Sequence, residues 1–161
     1  MKQLTPARLD QLAAEAKASP RRRANCNLHE DLADPVQRLA IAMEPDTLVQ
    51  VHRHPQTFEL LYPLRGRFVV LHFDEAGTVT ARTVLGEDCQ VQENPAGCWH
   101  AVLSLDEGGV IFEVKHGPYQ PVGPADTAPW QPLDADGAAA LRQWYAVAQP
   151  GERWQGHRTG A

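Results

Sequence analysis

No run in this chain approaches the roughly 18 consecutive apolar residues that a membrane-crossing helix needs. The N-terminus also lacks the apolar core of a secretory signal, so we expect no membrane partner and a cytoplasmic location. Cysteine is scarce. Cys26, Cys89 and Cys98 are odd in number and form no CxxC pair, which excludes a disulfide framework and fits reduced thiols. Positive charge is sparse as well: Arg21-Arg22-Arg23 is the only basic run and the net charge is −5, which argues against nucleic acid as a partner. Internal repeats and low-complexity tracts are lacking.

What the chain does have is turn formers, 13 prolines and 12 glycines in 161 residues. That density favours an all-β barrel or sandwich over a helical bundle. The length fits one domain, residues 1–161, able to bury roughly 68–70% of its unfolded surface. A helix is expected over 5–18, with Thr5 as N-cap, Pro6 at its first position, and Leu9, Leu12, Ala13 and Ala16 as its stripe. Between 24 and 116 the pattern has period two, predicting strands 24–29, 36–43, 47–54, 57–64, 67–73, 78–85, 89–93, 99–105 and 110–116. Glu75-Ala76-Gly77 and Glu107-Gly108-Gly109 are expected as hairpin turns. So many short strands suggest a closed double-sheet jelly roll.

Beyond the barrel, 117–132 reads as an ordered loop anchored by Trp130, and 134–148 as a second helix with Leu141, Trp144, Tyr145 and Ala148 on its apolar face. Past Pro150-Gly151 fraying is expected. If Glu59 points inward, Phe58, Leu60, Tyr62 and Leu64 share the outer face, too apolar to meet water. We expect a homodimer to cover it, with the terminal helices as partial cover.

The most informative string is His52-Arg53-His54, then Glu59, Gly66, and Pro95-Ala96-Gly97-Cys98-Trp99-His100. His52 and His54 project from one face of an extended strand. The four residues that follow His54 let the chain turn and bring the Glu59 carboxylate back, and His100 arrives from a later strand launched by the Pro95–Gly97 turn. Three imidazoles and a carboxylate suit one divalent transition ion, iron, manganese, nickel or zinc, better than calcium or magnesium. An HxH alone arises by chance roughly 0.3 times in such a chain, whereas the whole string is expected on the order of 10^-5 times.

These residues resemble the two signature motifs of the cupin superfamily, the first running Asp46…His52-Arg53-His54…Glu59…Gly66 and the second Cys89…Pro95-Ala96-Gly97…His100…Ser104. Asp46 and Cys89 stand where the motifs have glycine, and Ser104 where they have asparagine. The departures touch turns and a strand end and spare the four metal positions. The resemblance implies a double-stranded β-helix and a metal held by His52, His54, Glu59 and His100. More narrowly, Ser19–His29, the Phe73–Gly77 turn and Phe112–Tyr119 resemble the WbuC-type cupin-fold metalloproteins, some of which are associated with bacterial surface-polysaccharide gene sets.

Around the metal string, Arg23, Asn25, Asn27 and His29 alternate with Ala24, Cys26 and Leu28. The polar face is either plain solvent-exposed surface or, with Arg23, Asn27 and His29, the lining of a barrel mouth that holds an anionic or hydroxylated ligand. His72 is expected as a packed or solvated side chain, His116 at the surface, Cys98 as a small buried residue, Trp99 in the core, and His157 in the frayed tail. No general acid or base is identifiable. We expect an enzyme acting on a small sugar-like or keto-acid-like molecule by isomerisation, epimerisation, lysis or oxygenation. The alternatives are a metal-assisted receptor without turnover, or a purely structural metal.

Overall fold

A computed structural model describes residues 1–132 and 134–156. Helix α1 (Pro6–Ala18) starts as expected: the Thr5 hydroxyl accepts from the Arg8 amide at 3.2 Å, and Pro6 fills a first-turn position whose N–H would find no partner. Eight strands follow: β1 (Arg23–Asn27), β2 (Val36–Met43), β3 (Glu59–Arg65), β4 (Phe68–Phe73), β5 (Val79–Leu85), β6 (Gln92–Asn94), β7 (Trp99–Ser104) and β8 (Gly109–His116). Helix α2 (Ala135–Val147) is capped by Asp134, whose side chain accepts from the Gly137 amide at 2.8 Å.

The strands form two antiparallel sheets, one ordered β1-β2-β8-β3-β6 and the other β5-β4-β7. This is the expected all-β double-stranded β-helix with a helix toward each end. Phe68, Val70, Leu61, Val102 and Ile111 pack between the two sheets, while Leu141, Tyr145 and Ala148 of the α2 region join Leu71, Phe73 and Trp99 on the other side of the β4 sheet. The parity of β3 is also as expected, with Glu59, Leu61 and Pro63 buried and Leu60, Tyr62 and Leu64 turned outward. Leu12 and Ala16 of α1, in one cluster with Leu64, cover part of that outer face, whereas Tyr62 stays 39% exposed.

Four expectations need correction. Residues 47–54 form no regular strand; only an isolated bridge at His52 remains, to His100 on one side and Thr127 on the other. The other edge of that segment is taken by the tail: Val51 exchanges hydrogen bonds with the Gln131 side chain (2.6 and 2.8 Å), and the Ala128 amide donates to the Val51 carbonyl. The Glu107–Gly109 turn is no hairpin, because β7 and β8 lie in different sheets and the turn carries the chain from one to the other. The 89–93 strand shrinks to Gln92–Asn94, since the Asp88 carboxylate accepts from the Val84 amide and closes a turn over 84–89. Finally, 151–156 does not fray. The Gly151 amide donates to the Val79 carbonyl and the Val79 amide to Glu152, both at 2.8 Å, and the Trp154 ring lies 5.6 Å from Trp144. His157 falls outside the described residues. Among those described, no helix is long and apolar enough to cross a membrane.

Candidate metal centre

The second motif clamps the first. Gly97 has φ +78°, the left-handed conformation that glycine adopts freely, and its amide donates to the His54 carbonyl at 3.0 Å. His52 and His100 exchange backbone bonds of 3.0 and 2.9 Å, which sets their rings side by side with centroids 4.5 Å apart. Glu59 opens β3 opposite Asn94 of β6 and Lys115 of β8. One ligand atom from each of His52, His54, Glu59 and His100 lies within 4.8 Å of the others, so four residues spread over almost fifty positions converge.

Tautomers follow from the backbone. His52 Nδ1 lies 2.8 Å from the Gln50 carbonyl and His100 Nδ1 2.9 Å from the Cys98 carbonyl. A carbonyl only accepts, so each Nδ1 carries the proton and each Nε2 offers a lone pair, the arrangement a metal ligand requires. His100 Nε2 and His54 Nε2 approach the Glu59 carboxylate at 3.0 and 3.4 Å without the alignment of a hydrogen bond, and both nitrogens stay buried and unpartnered. Buried, unpartnered acceptors around a carboxylate fit a divalent transition ion. Burial first, then the neighbouring His100, pushes the His52 pKa down to about 4. Burial opposes charge on Glu59, but His100, His54 and Lys115 outweigh it and hold that carboxyl well below its usual range. Burial likewise opposes charge on His100, and contact with Glu59 raises it overall.

Asn94 supports the carboxylate. Its Nδ2 donates to Glu59 Oε2 at 3.1 Å, and its Oδ1 accepts from His72 Nε2 at 2.7 Å. His72, half-buried on β4, thus reaches the cluster through one intermediary. Ser104 lies on the cluster's strand but bonds instead to the Asp106 carbonyl. Cys98 is half-buried and Trp99 is buried beneath the Arg53 guanidinium, 4.4 Å from its ring, while His116 is exposed.

The cluster opens into a cavity of about 250 Å³ whose wall includes Arg23, Asn25, Glu113, Lys115 and Tyr119. Asn27 and His29 line a neighbouring cavity of about 260 Å³ that shares Asn25, Glu113, Lys115 and Tyr119 with the first. Of the three mouth residues, Arg23 therefore stands beside the cluster and the other two stand one compartment away. Glu113 and Lys115 were not anticipated. They form a 2.7 Å ion pair, with Lys115 Nζ 4.0 Å from Glu59 Oε1. Burial first and Glu59 second push Glu113 up to about 7. The signal was present in β8, where Ile111, Glu113 and Lys115 alternate with Val110, Phe112 and Val114, putting two charges on one face of an apolar strand.

The profile of the family described as Domain of unknown function (DUF6016) matches residues 4–85, just over half of the chain. No curated protein matches by sequence. Among solved structures, KdgF from Halomonas sp. is 12% identical with a TM-score of 0.50, covering 64% of this chain and 85% of its own. TT1209 from Thermus thermophilus is 20% identical with a TM-score of 0.53, covering 72% and 97% respectively. An oxalate oxidase in complex with the substrate analogue glycolate is 14% identical with a TM-score of 0.54, covering 80% and 73%. At such identities these likenesses establish the cupin fold alone.

Proposed function

We propose a function for a chain that belongs to the family described as Domain of unknown function (DUF6016): a metal-dependent enzyme acting on a small sugar-like or keto-acid-like molecule. One observation carries the reading, that His52, His54 and Glu59 of the four-residue cluster line the same cavity as the Glu113–Lys115 pair. The four cluster residues would hold the ion, iron, manganese, nickel or zinc. Bound there, a divalent ion polarises a carbonyl or acidifies a hydroxyl or water. Glu113 stands in the same cavity to take or return a proton, and Lys115 holds its carboxylate in place through the 2.7 Å contact. Tyr119 adds a hydroxyl to the same wall. A second carboxylate, a lysine and a tyrosine around the cavity favour turnover over a receptor lined by apolar groups and fixed donors.

The finer parts of the reading are a WbuC-type affiliation, with a role in bacterial surface-polysaccharide metabolism, and a homodimer joined across the outer face of β3. The motif residues support the first, and the exposed Tyr62 ring supports the second. Solution mass tests the dimer.

Elemental analysis of the purified protein, followed by oxygen-uptake and sugar-phosphate turnover screens, tests the main reading. His52→Ala and Glu59→Ala are each expected to lose the metal, and both keeping full stoichiometric metal at unchanged affinity sinks the ligand assignment. Glu113→Gln is expected to keep the metal and lose about 100-fold or more in turnover. Full turnover in that variant removes Glu113 from the proton step.

A further inference from the structure

The cavity beside the cluster carries a charge that the metal reading leaves unused. Arg23 extends from β1 into it, half-buried, and also lines a smaller cavity with His52, Gln50 and Thr127. Among the described residues its guanidinium forms no ion pair and no side-chain hydrogen bond, whereas Arg8, Arg22, Arg38, Arg53, Arg65 and Arg67 are each paired with a carboxylate and Arg82 and Arg142 donate to backbone carbonyls. None of its unpaired nitrogens is sealed from solvent, so the guanidinium keeps donors open to a ligand in a half-buried site. Burial first, and the like charge of Arg21 second, push its pKa down, as expected for a cation short of a counter-ion.

The rest of the wall does not supply one. Glu113 is occupied by Lys115 at 2.7 Å, and Glu59 is held by Asn94 and faces the histidines. Arg21, Arg23 and Lys115 therefore face two carboxylates that are already engaged. A divalent ion on the cluster would make the cavity more positive still. The planar fork of a guanidinium matches a carboxylate or a phosphate through two parallel hydrogen bonds.

We propose that Arg23, with Arg21 at the rim, forms an oxyanion subsite, so that the substrate is a small molecule bearing a carboxylate or phosphate at one end and presenting its carbonyl or hydroxyl to the cluster at the other. This rests on the enzyme reading above and narrows it to anionic substrates, for which neutral polyols are poor substitutes. It gives Arg23 a positioning task. The anion fixes which end of the molecule enters, and the oxygen to be acted on then lies toward His52 and Glu59, with Glu113 to its side.

The test is titration of the metal-stripped full chain with inorganic phosphate and with glycolate, followed by calorimetry. Arg23→Met keeps the aliphatic stem that packs in the wall and removes the charge, and Arg23→Gln serves if the methionine variant does not fold. The unaltered chain is expected to bind at least one of the two probes, and the Arg23 variant to bind it about 10-fold or more weakly. Arg8→Gln, a change on α1 at a residue that lines neither cavity, should match the unaltered chain. Equal affinity with and without the Arg23 guanidinium overturns the subsite, as does absence of binding by both probes. Because no metal is present, the two readings fail separately. Metal uptake without anion binding refutes only the subsite, and anion binding dependent on Arg23 without metal uptake upholds the subsite while refuting the cluster.

Discussion

Replacing Asn94 by alanine tests most directly how the cluster is held. Asn94 sits opposite Glu59 in the β3–β6 register, so the two side chains rise from the same face, and it is 1% exposed. Its Nδ2 donates to Glu59 Oε2 at 3.1 Å while its Oδ1 accepts from His72 Nε2 at 2.7 Å and Gln92 Nε2 at 3.0 Å. Alanine removes one hydrogen bond to a charged group, worth about 1.5–3 kcal/mol. It also removes the Asn94 partner of His72 Nε2; the Gln92 amide 3.1 Å away and water at this half-buried ring recover part of the loss, and about 1 kcal/mol remains. The unfolding free energy of the metal-stripped chain should therefore fall by about 2.5–4 kcal/mol, read as a lower urea midpoint at unchanged slope. Metal affinity, measured by chelator competition, should fall by about 10–100-fold, because the freed carboxylate can swing toward Lys115 Nζ, 4.0 Å away. A stability loss under about 0.5 kcal/mol, together with metal affinity within about twofold of the unaltered chain, would refute the role given to Asn94.

Glu113 makes a pH-dependent prediction for the metal-stripped chain. Its folded pKa, about 7, exceeds the ordinary 4.5, so the native state holds this proton more tightly than the unfolded chain does. Its contribution is complete below about pH 4.5 and is lost as pH rises through about 7, on the order of 3 kcal/mol. Glu113→Gln should flatten this limb in urea titrations between those pH values in chelator, and parallel curves for the two chains would contradict the placement. Leu141→Ala should cost about 2–5 kcal/mol of unfolding free energy, since Leu141 is fully buried where α2 meets the β4 sheet, and a smaller loss would mean that α2 docks loosely.

Local signals were legible and remote ones were not. Helix α1 could be read because its start is specified by neighbours, Thr5 capping Arg8 and Pro6 preset for the first turn. Strand β2 matched its expected bounds because both its faces are apolar, Ala40 and Ala42 packing with Leu12 and Ala16 of α1 while Ile41 and Met43 pack on the opposite face. The four cluster residues were legible because an HxH pair and a glutamate share one short segment, and the Pro95–Gly97 turn announces the fourth. Residues 47–54 were misread for the opposite reason. Apart from the His52–His100 bonds, their partners include Asp126, Ala128 and Gln131, more than seventy positions onward, and no local pattern encodes that competition. Asn94 had only its place before Pro95 to mark it, which predicts extended backbone and says nothing of its partner.

The Glu113–Lys115 pair is hard to explain as stabilisation. Strand β8 lies at the centre of its sheet, between β2 and β3, where an apolar residue at either position would pack without desolvating a charge. Buried ion pairs often contribute less than the hydrophobic residues that can replace them, because removing both charges from water costs several kcal/mol per ion by order of magnitude, about as much as their attraction returns. Here the pair also raises the local charge density next to Glu59, itself buried. A strand held on both sides by ladder bonds is, however, where a proton-moving group is best placed, since its side chain is fixed relative to the cluster by the register Glu59↔Lys115. The cost in stability and the rigidity of the position both favour chemistry over scaffolding as the role of these two charges. The unpartnered Arg23 across the same cavity adds a third polar group that packing alone does not require.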